Sequence, residues 1–279
     1  MTFNSSRIYL WPFILLNCII MSITVDHDIF YGIIAGLSLC FLSSYGFLIN
    51  DICDRNIDRV NLAGRLENAD RSTIRVALII ALSFLIIALF LSLIDYMLFA
   101  LLVIISVVLT LYSILLRKFL IISTITAALL SLSPLWVPLI GRRIELFHLG
   151  ITISMFIMLT AREIILDVKD RKGDKEGGRR TLPSIVGPAR AKNIAFFLML
   201  LSSLLMLLTL IPSLTLVSSL EAAVILVPAC AFIFLIIKSG LGTLNFLDEK
   251  ISIEKFIIAS RRGMALIPIV LLFEWLLLK

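Results

Sequence analysis

The chain has few of the residues from which metal and haem sites are usually built. It contains two histidines and four cysteines among 279 residues. The cysteines form no CxxC pair, and the histidines, His27 and His148, are predicted to lie far from the acidic residues described below. A zinc or haem site is therefore not expected. Three of the cysteines, Cys18, Cys40 and Cys230, fall within apolar runs and are interpreted as small hydrophobic residues.

Charged residues are also scarce. They make up 16% of the chain, whereas typical soluble domains have about 25%. Hydrophobic residues make up 60%, and the mean hydropathy is +1.09. This composition excludes an ordinary soluble domain and predicts an all-α, polytopic membrane protein. No linker or shift in composition divides the chain, so a single domain, residues 1–279, is predicted.

Apolar runs long enough to cross a bilayer predict nine transmembrane helices. They are placed at residues 8–25, 29–49, 74–94, 97–116, 119–140, 147–166, 192–212, 219–238 and 260–278. Pro134 and Pro138 are expected to kink the fifth helix, and Pro212 is expected to end the seventh. The first run lacks a small-residue cleavage site, which favours a retained helix over a removed signal peptide.

Basic residues predict the orientation. With nine helices and a cytoplasmic N-terminus, all of the 25 Lys and Arg residues lie on the cytoplasmic side except Arg142, Arg143 and Lys279. The positive-inside rule requires such an asymmetry, and an even number of helices would divide the large basic loops between the two sides. The orientation in the membrane explains part of the net charge of +6. The sequence contains no nucleic-acid-binding signature that would explain the remainder.

Two acidic clusters occur where apolar runs end. The first cluster comprises Asn50, Asp51, Asp54 and Asp58, and the second comprises Asp167, Asp170 and Asp174. In both, carboxylates stand at i, i+3 and i+7, positions that lie within roughly 60° of one another on an α-helix. Carboxylates on one face repel and indicate a bound cation, and a set of oxygen donors favours Mg²⁺. The alternative is two solvated helix ends.

The predicted topology puts both clusters on the same side of the membrane, each beside a basic loop. Facing carboxylates can share Mg²⁺ ions that bridge a diphosphate, while Lys and Arg hold the remaining phosphate oxygens. The metal neutralises charge on the leaving diphosphate. Apolar helices enclose a hydrocarbon tail and keep water from an allylic cation. The pattern therefore predicts Mg²⁺-dependent prenyl transfer, with the active site facing the cytoplasm.

The run NDICDRNID resembles the NDxxDxxxD motif of the UbiA superfamily of intramembrane prenyltransferases. REIILDVKDRKGD resembles the second aspartate motif of that superfamily, and the order of the motifs and the predicted helix count also match. The resemblance covers nearly the whole chain. It implies nine helices around a central cavity, a cap of cytoplasmic loops, and transfer of a polyprenyl group from its diphosphate to a lipophilic acceptor in the membrane.

The resemblance also implies roles for individual residues. Implied Mg²⁺ ligands are Asp51, Asp54, Asp58, Asp167, Asp170 and Asp174. Implied catalytic residues are Asp54, Asp58, Asp170 and Asp174. Asp167, Asp170 and Asp174 would hold the other metal or help to activate the acceptor. Implied diphosphate contacts are Asn50, Arg65, Tyr112, Arg117 and Lys118. An aromatic residue at the membrane interface is the alternative for Tyr112.

The run AREIILDVKDRKGD, followed by RRTLPSIVG, most resembles the branch that makes digeranylgeranylglyceryl phosphate. That branch transfers geranylgeranyl to geranylgeranylglyceryl phosphate, an ether lipid. The loop NLAGRLENAD departs from the superfamily, because it keeps Asn61 and Arg65 but lacks two prolines and a Ser-Gly pair. Aromatic (quinone, chlorophyll or secondary-metabolite) prenyltransferases and cyclases therefore remain an alternative.

Two other classes of function stay open. A cation-coupled secondary transporter would explain acidic residues in the membrane, although its acids are expected near the bilayer midplane and not at one face. A structural or assembly role would predict no dependence on Mg²⁺. Arg162 and Glu163 are expected to pair with each other or with the cavity wall, and a role in seating the acceptor is a further hypothesis. Glu274 is expected at the membrane interface.

Overall fold

The computed structural model describes residues 6–61, 66, 68–216, 218–244 and 249–278. Within these ranges the chain forms α-helices joined by short turns, with no β-strand, and the predicted all-α class is confirmed. The α-helices are α1 (Trp11–Thr24), α2 (Ile29–Cys53), α3 (Arg55–Asn61), α4 (Arg71–Ser92), α5 (Tyr96–Ile114), α6 (Leu120–Ser131), α7 (Ser133–Trp136), α8 (Leu146–Glu176), α9 (Leu182–Val186), α10 (Pro188–Leu216), α11 (Ser219–Leu244), α12 (Glu249–Met264) and α13 (Ile267–Leu278). Single 3₁₀ turns lie at Ile8–Leu10, Leu116–Lys118 and Val137–Leu139.

Six helices in the described ranges are long and apolar enough to cross a membrane: α2, α4, α5, α8, α10 and α11. A seventh span is formed if α6 and the segment Ser133–Leu139, which meet at an angle of 55°, are counted together. Two shorter apolar helices, Ile8–Thr24 and Ile267–Leu277, accompany them. The chain is thus a multi-pass membrane protein, while the count of nine spans and the cytoplasmic N-terminus stay predictions.

Prolines have different effects in the fifth and seventh predicted helices. The expected kink is confirmed, because Pro134 and Pro138 lie where α6 gives way to α7 and a 3₁₀ turn. The expected end at Pro212 is wrong, because α10 continues to Leu216. Proline is tolerated inside a membrane helix when neighbouring helices hold it. Here Ser213 donates a hydrogen bond of 3.0 Å to Glu274 of α13, which is 7% exposed and therefore enclosed by protein.

Several acidic residues outside the two clusters serve as helix caps. The side chains of Asp28, Asp70 and Asp95 accept hydrogen bonds from backbone amides in the first turns of α2, α4 and α5. Such caps satisfy amide groups that have no partner within the helix. Hydrogen bonds from Thr73 lower the pKa of Asp70. These three acids thus have local roles as helix caps.

Two pairs of helices fix the positions of the clusters. Buried Ser154 of α8 and Ser202 of α10 each donate a 2.8 Å hydrogen bond to the other's backbone carbonyl. On the other side, the hydroxyl of Tyr45 in α2 lies 2.6 Å from that of Thr110 in α5. Hydrogen bonds between small or hydroxylated residues are a common means of joining membrane helices. They hold α8 against α10, and α2 against α5.

Both histidines lie away from the acidic clusters. His148 stands 19 residues before Asp167 on the unbroken α8, which is about 28 Å along a helix. His27 stacks on Tyr31 with 4.0 Å between ring centroids and lies within 3.2 Å of the guanidinium of Arg142. Burial and the charge of Arg142 lower the pKa of His27. Neither ring contributes to the site described next.

Candidate active site

The first cluster lies across a junction between two helices. A single helical face is expected from the spacing, but α2 ends at Cys53, and α3 begins at Arg55. Asp54 lies between them. Its amide still bonds to the carbonyl of Asn50 at 2.9 Å, and the amide of Asp58 bonds to the carbonyl of Asp54 at 2.8 Å. Helical register is therefore kept through the break, and the carboxylates stay on neighbouring turns.

The second cluster lies near the end of α8. The sixth predicted helix ends at residue 166, whereas α8 continues to Glu176. Asp167, Asp170 and Asp174 therefore lie on successive turns of one continuous helix. Asp174 is 3% exposed, and the other two are half-buried.

The side chain of Asn61, in α3, bonds to the backbone of α8 beside the second cluster. Its amide nitrogen donates to the carbonyl of Asp170 at 3.2 Å, and its oxygen accepts from the amide of Gly173 at 2.9 Å. A Cβ atom at Gly173 would lie 2.7 Å from the carbonyl oxygen of Ile57 and 2.5 Å from the Asn61 side chain. Only glycine permits this approach, which brings α3 against α8 and both clusters to the same place.

Arginines neutralise the buried carboxylates. Asp54, which is 3% exposed, forms ion pairs with both Arg117 and Arg179. Arg117 also donates to the side-chain oxygen of Asn50 at 2.5 Å, and Arg179 lies 3.3 Å from the Asp174 carboxylate. Arg179 therefore contacts one carboxylate from each cluster. Burial, followed by the charge of Arg179, lowers the pKa of Arg117 to about 9, so its side chain stays cationic at neutral pH.

A third arginine approaches from the N-terminal segment. Arg7 lies 3.3 Å from the carboxylate of Asp51, which is 1% exposed. Its guanidinium also lies 4.1 Å from the ring centroid of Phe47, within the range of a cation–π interaction. The backbone of Arg7 has a φ of +51°, a conformation that few non-glycine residues adopt. Three buried or nearly buried carboxylates are thus matched by three arginines.

Most of the predicted site residues described by the structure lie around this network. Asn50 and Arg117 contact each other directly, and the Arg117 guanidinium lies 5.6 Å from the ring centroid of Tyr112. Asp58 is 7% exposed, whereas Lys118 is exposed. Arg65 lies outside the described residues.

Sequence reasoning did not single out Arg7 or Arg179. A signal for Arg179 was present, because it opens the Arg-Arg pair that follows the second cluster. Arg7 had a weaker signal, as the one charged residue before the first apolar run. Neither signal indicates which carboxylate each side chain meets.

Arg162 and Glu163 form an ion pair of 2.9 Å, so the expectation that they pair with each other is confirmed. Both side chains are largely buried, and the Nε atom of Arg162 is buried without a hydrogen-bond partner among the described residues. Glu163 precedes Asp167 by four residues and thus extends the acidic face of α8 by one turn. The pair lies on the membrane side of the second cluster.

The donor chemistry of the site fits Mg²⁺. Carboxylates and the Asn50 amide supply only oxygen atoms, the ligands that Mg²⁺ prefers. In the described part of the chain, no three His, Cys, Asp or Glu side chains are close enough together to hold a metal ion as they stand. Asp54 instead pairs with Arg117 and Arg179, and Asp174 pairs with Arg179.

Two apolar grooves lie elsewhere on the molecule. One, of about 510 Å³, lies between α11 and α13 and is lined by residues such as Val227 and Phe273. The other, of about 610 Å³, lies between α10 and α11 and is lined by residues such as Cys230 and Phe234. Both are open grooves on faces whose side chains are apolar, as expected for surfaces in contact with lipid.

Comparison with known proteins identifies relatives over most of the chain. The UbiA prenyltransferase family matches residues 9–241. A digeranylgeranylglyceryl phosphate synthase of Methanosphaera stadtmanae is 29% identical over 191 residues, 67% of this chain and 70% of the relative. The Methanococcus maripaludis enzyme of the same name is 28% identical over 172 residues, and this match spans 60% of each chain.

The fold also has solved counterparts. A UbiA homologue from Archaeoglobus fulgidus, bound to DMAPP and Mg²⁺, superposes with a TM-score of 0.67 at 18% identity. The superposition covers 96% of this chain and 98% of that protein. At this level of identity the likeness shows a common fold.

Proposed function

The chain belongs to the UbiA prenyltransferase family, and we propose that it transfers a geranylgeranyl group from its diphosphate to geranylgeranylglyceryl phosphate in the membrane. The observation that carries this proposal is the convergence of two acidic clusters on Arg179. The named activity of the two archaeal relatives supports the choice of donor and acceptor.

We propose Mg²⁺ as the cofactor and both acidic clusters as its binding site. The bound Mg²⁺ of the Archaeoglobus homologue and the oxygen donors of this chain support that proposal. The proposed ligands are Asp51, Asp54, Asp58, Asp167, Asp170 and Asp174. When bound, the ions neutralise the charge that develops on the leaving diphosphate.

Basic residues of the chain bind the diphosphate oxygens. Arg117 and Arg179 already converge on Asp54, and their planar guanidinium groups can each donate two hydrogen bonds to a phosphate. Asn50, bonded to Arg117, orients that side chain. The other proposed contacts are Arg7, Arg65, Tyr112 and Lys118.

The second cluster also activates the acceptor by accepting its proton. The bond from the allylic carbon to the diphosphate oxygen breaks, and a new bond forms from that carbon to the acceptor hydroxyl oxygen. The hydroxyl proton passes to a carboxylate of Asp170 or Asp174. The apolar helices exclude water, which would otherwise capture the allylic cation. Arg162, five residues before Asp167 on α8, has a buried Nε donor, and we propose that it helps to seat the acceptor.

The direct test is product identification. The purified protein is incubated with Mg²⁺, geranylgeranyl diphosphate and either geranylgeranylglyceryl phosphate or an aromatic acceptor such as homogentisate, and products are identified by mass spectrometry. Digeranylgeranylglyceryl phosphate is the expected product. A prenylated aromatic product alone would replace the proposed acceptor with the aromatic alternative, and no product with any acceptor would contradict prenyl transfer.

We propose that the site faces the cytoplasm, as the distribution of basic residues predicts. In a variant without the four native cysteines, cysteine at positions 65 and 175 is expected to react with a membrane-impermeant maleimide from the cytoplasmic side. Cysteine at position 142 is expected to react from the opposite side. Labelling of positions 65 and 175 from different sides would separate the two clusters and exclude a shared site.

Substitution of Gly173 tests the contact between α3 and α8. In Gly173→Ala, the added Cβ meets the Ile57 carbonyl and Asn61, so the two clusters are forced apart. A displacement of reacting groups by about 1 Å can cost about 100-fold in rate, and a loss of that size in kcat/KM is expected. Gly242→Ala is the matched control, because a Cβ there meets nothing within 4 Å. Wild-type activity of a correctly folded Gly173→Ala protein would show that this approach is unimportant.

A further inference from the structure

Arg179 contacts buried carboxylates of both clusters, and this arrangement has a consequence for ligand binding. We propose that Arg179 is an internal counter-ion that leaves Asp54 and Asp174 for the diphosphate, so that the divalent metal and the diphosphate bind as a coupled pair. The inference rests on the proposed function, since it concerns the order and strength of binding at that site.

Burial is the first reason for the pairing. Asp54 and Asp174 are each 3% exposed. A buried carboxylate without a cation is strongly unfavourable, and removing one partner of a buried pair costs far more than the pair contributes. Arg179, whose side chain is 11% exposed, supplies a charge to both carboxylates at once. The arginine thereby links the two clusters.

The same contacts oppose binding of the metal alone. A divalent ion at Asp54 would replace Arg117 and Arg179, or would lie close to two guanidinium groups and be repelled by them. Metal binding without an anion must therefore move Arg179 away from its partners and leave a buried cation unpaired.

The diphosphate removes this penalty. Its oxygens accept the guanidinium hydrogen bonds that the carboxylates gave up, and Arg forms such bonds with phosphate in a bidentate manner. The carboxylates of Asp54 and Asp174 would then be free to hold the metal. Each ligand thus lowers the cost of binding the other, and the coupling must be equal in both directions.

Binding of Mn²⁺ to the purified full-length protein tests this coupling without turnover. Free and bound Mn²⁺ are measured by electron paramagnetic resonance with and without inorganic pyrophosphate, after correction for the Mn²⁺–pyrophosphate complex in solution. In the wild type, pyrophosphate is expected to tighten Mn²⁺ binding by roughly 10- to 100-fold, the usual range of coupling between sites.

The variants Arg179→Gln and Arg180→Gln form a matched pair, because Arg180 is the next residue and is exposed. Arg179→Gln is expected to bind Mn²⁺ more tightly than the wild type without pyrophosphate, and to lose most of the tightening that pyrophosphate brings. Arg180→Gln is expected to behave as the wild type does. Arg179→Lys keeps the charge but lacks the planar fork, so its coupling is expected to lie in between.

Two results would overturn the inference. One is Mn²⁺ binding to the wild type that is independent of pyrophosphate. The other is an Arg179→Gln protein that retains the full effect of pyrophosphate. If Arg179→Gln does not fold, the wild-type and Arg179→Lys measurements still decide. Coupled binding in a protein that makes no prenylated product would contradict the proposed function alone, whereas normal product formation with uncoupled binding would contradict this inference alone.

Discussion

Replacement of Asp54 by asparagine is expected to lower kcat/KM by about a thousandfold or more. A lost metal ligand removes several kcal/mol of stabilisation from the transition state, and about 1.4 kcal/mol corresponds to each tenfold change in rate. The asparagine side chain has nearly the same size, so the change removes charge without opening a cavity. Asp54 lies between both helices of the first motif and pairs with Arg117 and Arg179, so the substitution also removes a carboxylate from two guanidinium groups. Binding of geranylgeranyl diphosphate should weaken as well.

Comparison variants make the measurement specific. Cys53→Ala changes the adjacent, exposed residue of the same motif and is expected to keep wild-type activity. Asp58→Asn should be as inactive as Asp54→Asn. Asp170→Ala and Asp174→Ala should also be inactive, but one of them should retain donor binding if it acts on the acceptor. Steady-state rates and equilibrium binding of labelled donor are measured for all variants at saturating Mg²⁺. Product formation by Asp54→Asn at a near-normal rate would remove Asp54 from the proposed site.

Removal of divalent metal is expected to abolish transfer completely. With only carboxylate and amide oxygens available, the site should bind Mg²⁺ or Mn²⁺, and arginines alone should not neutralise the departing diphosphate. The purified protein is treated with EDTA, and product formation is followed by mass spectrometry before and after Mg²⁺ or Mn²⁺ is returned.

Recovery on return of either ion is the control for irreversible damage by the chelator. Full activity in thoroughly chelated buffer would contradict the proposed role of the two clusters. If the protein is instead a transporter, vesicles that contain it should take up cations without any diphosphate substrate. That uptake should depend on the two acidic clusters.

The local patterns of the sequence predicted much of the fold. Apolar length located the six helices that are long enough to cross a membrane, and the rigid geometry of proline located the bend between α6 and α7. The same rule failed at Pro212, where α10 continues to Leu216 and neighbouring Ser213 bonds to Glu274, 61 residues away. The helix-ending effect of a proline therefore does not by itself locate the end of a helix that packs against another helix.

The candidate site shows the same limit. Spacing at i, i+3 and i+7 correctly groups residues that share one helix, as in the second cluster. It says nothing of partners from distant segments. Arg179 meets Asp54 across 125 positions, and Arg7 meets Asp51 across 44. These pairings depend on how α2, α3 and α8 pack, which no pattern within a single helix specifies.

The unbroken length of α8 has a consequence for the fate of the products. Its 31 residues extend about 46 Å, whereas the hydrocarbon layer of a bilayer is about 30 Å thick. Since charged residues are concentrated from Asp167 onwards, this end of the helix reaches the lipid headgroups and the water beyond them. In the proposed reaction, diphosphate is therefore released into the aqueous phase, while a lipid with two hydrocarbon chains remains in the bilayer. The two products enter different phases at the moment of their separation, and dilution of diphosphate into bulk water disfavours the reverse reaction.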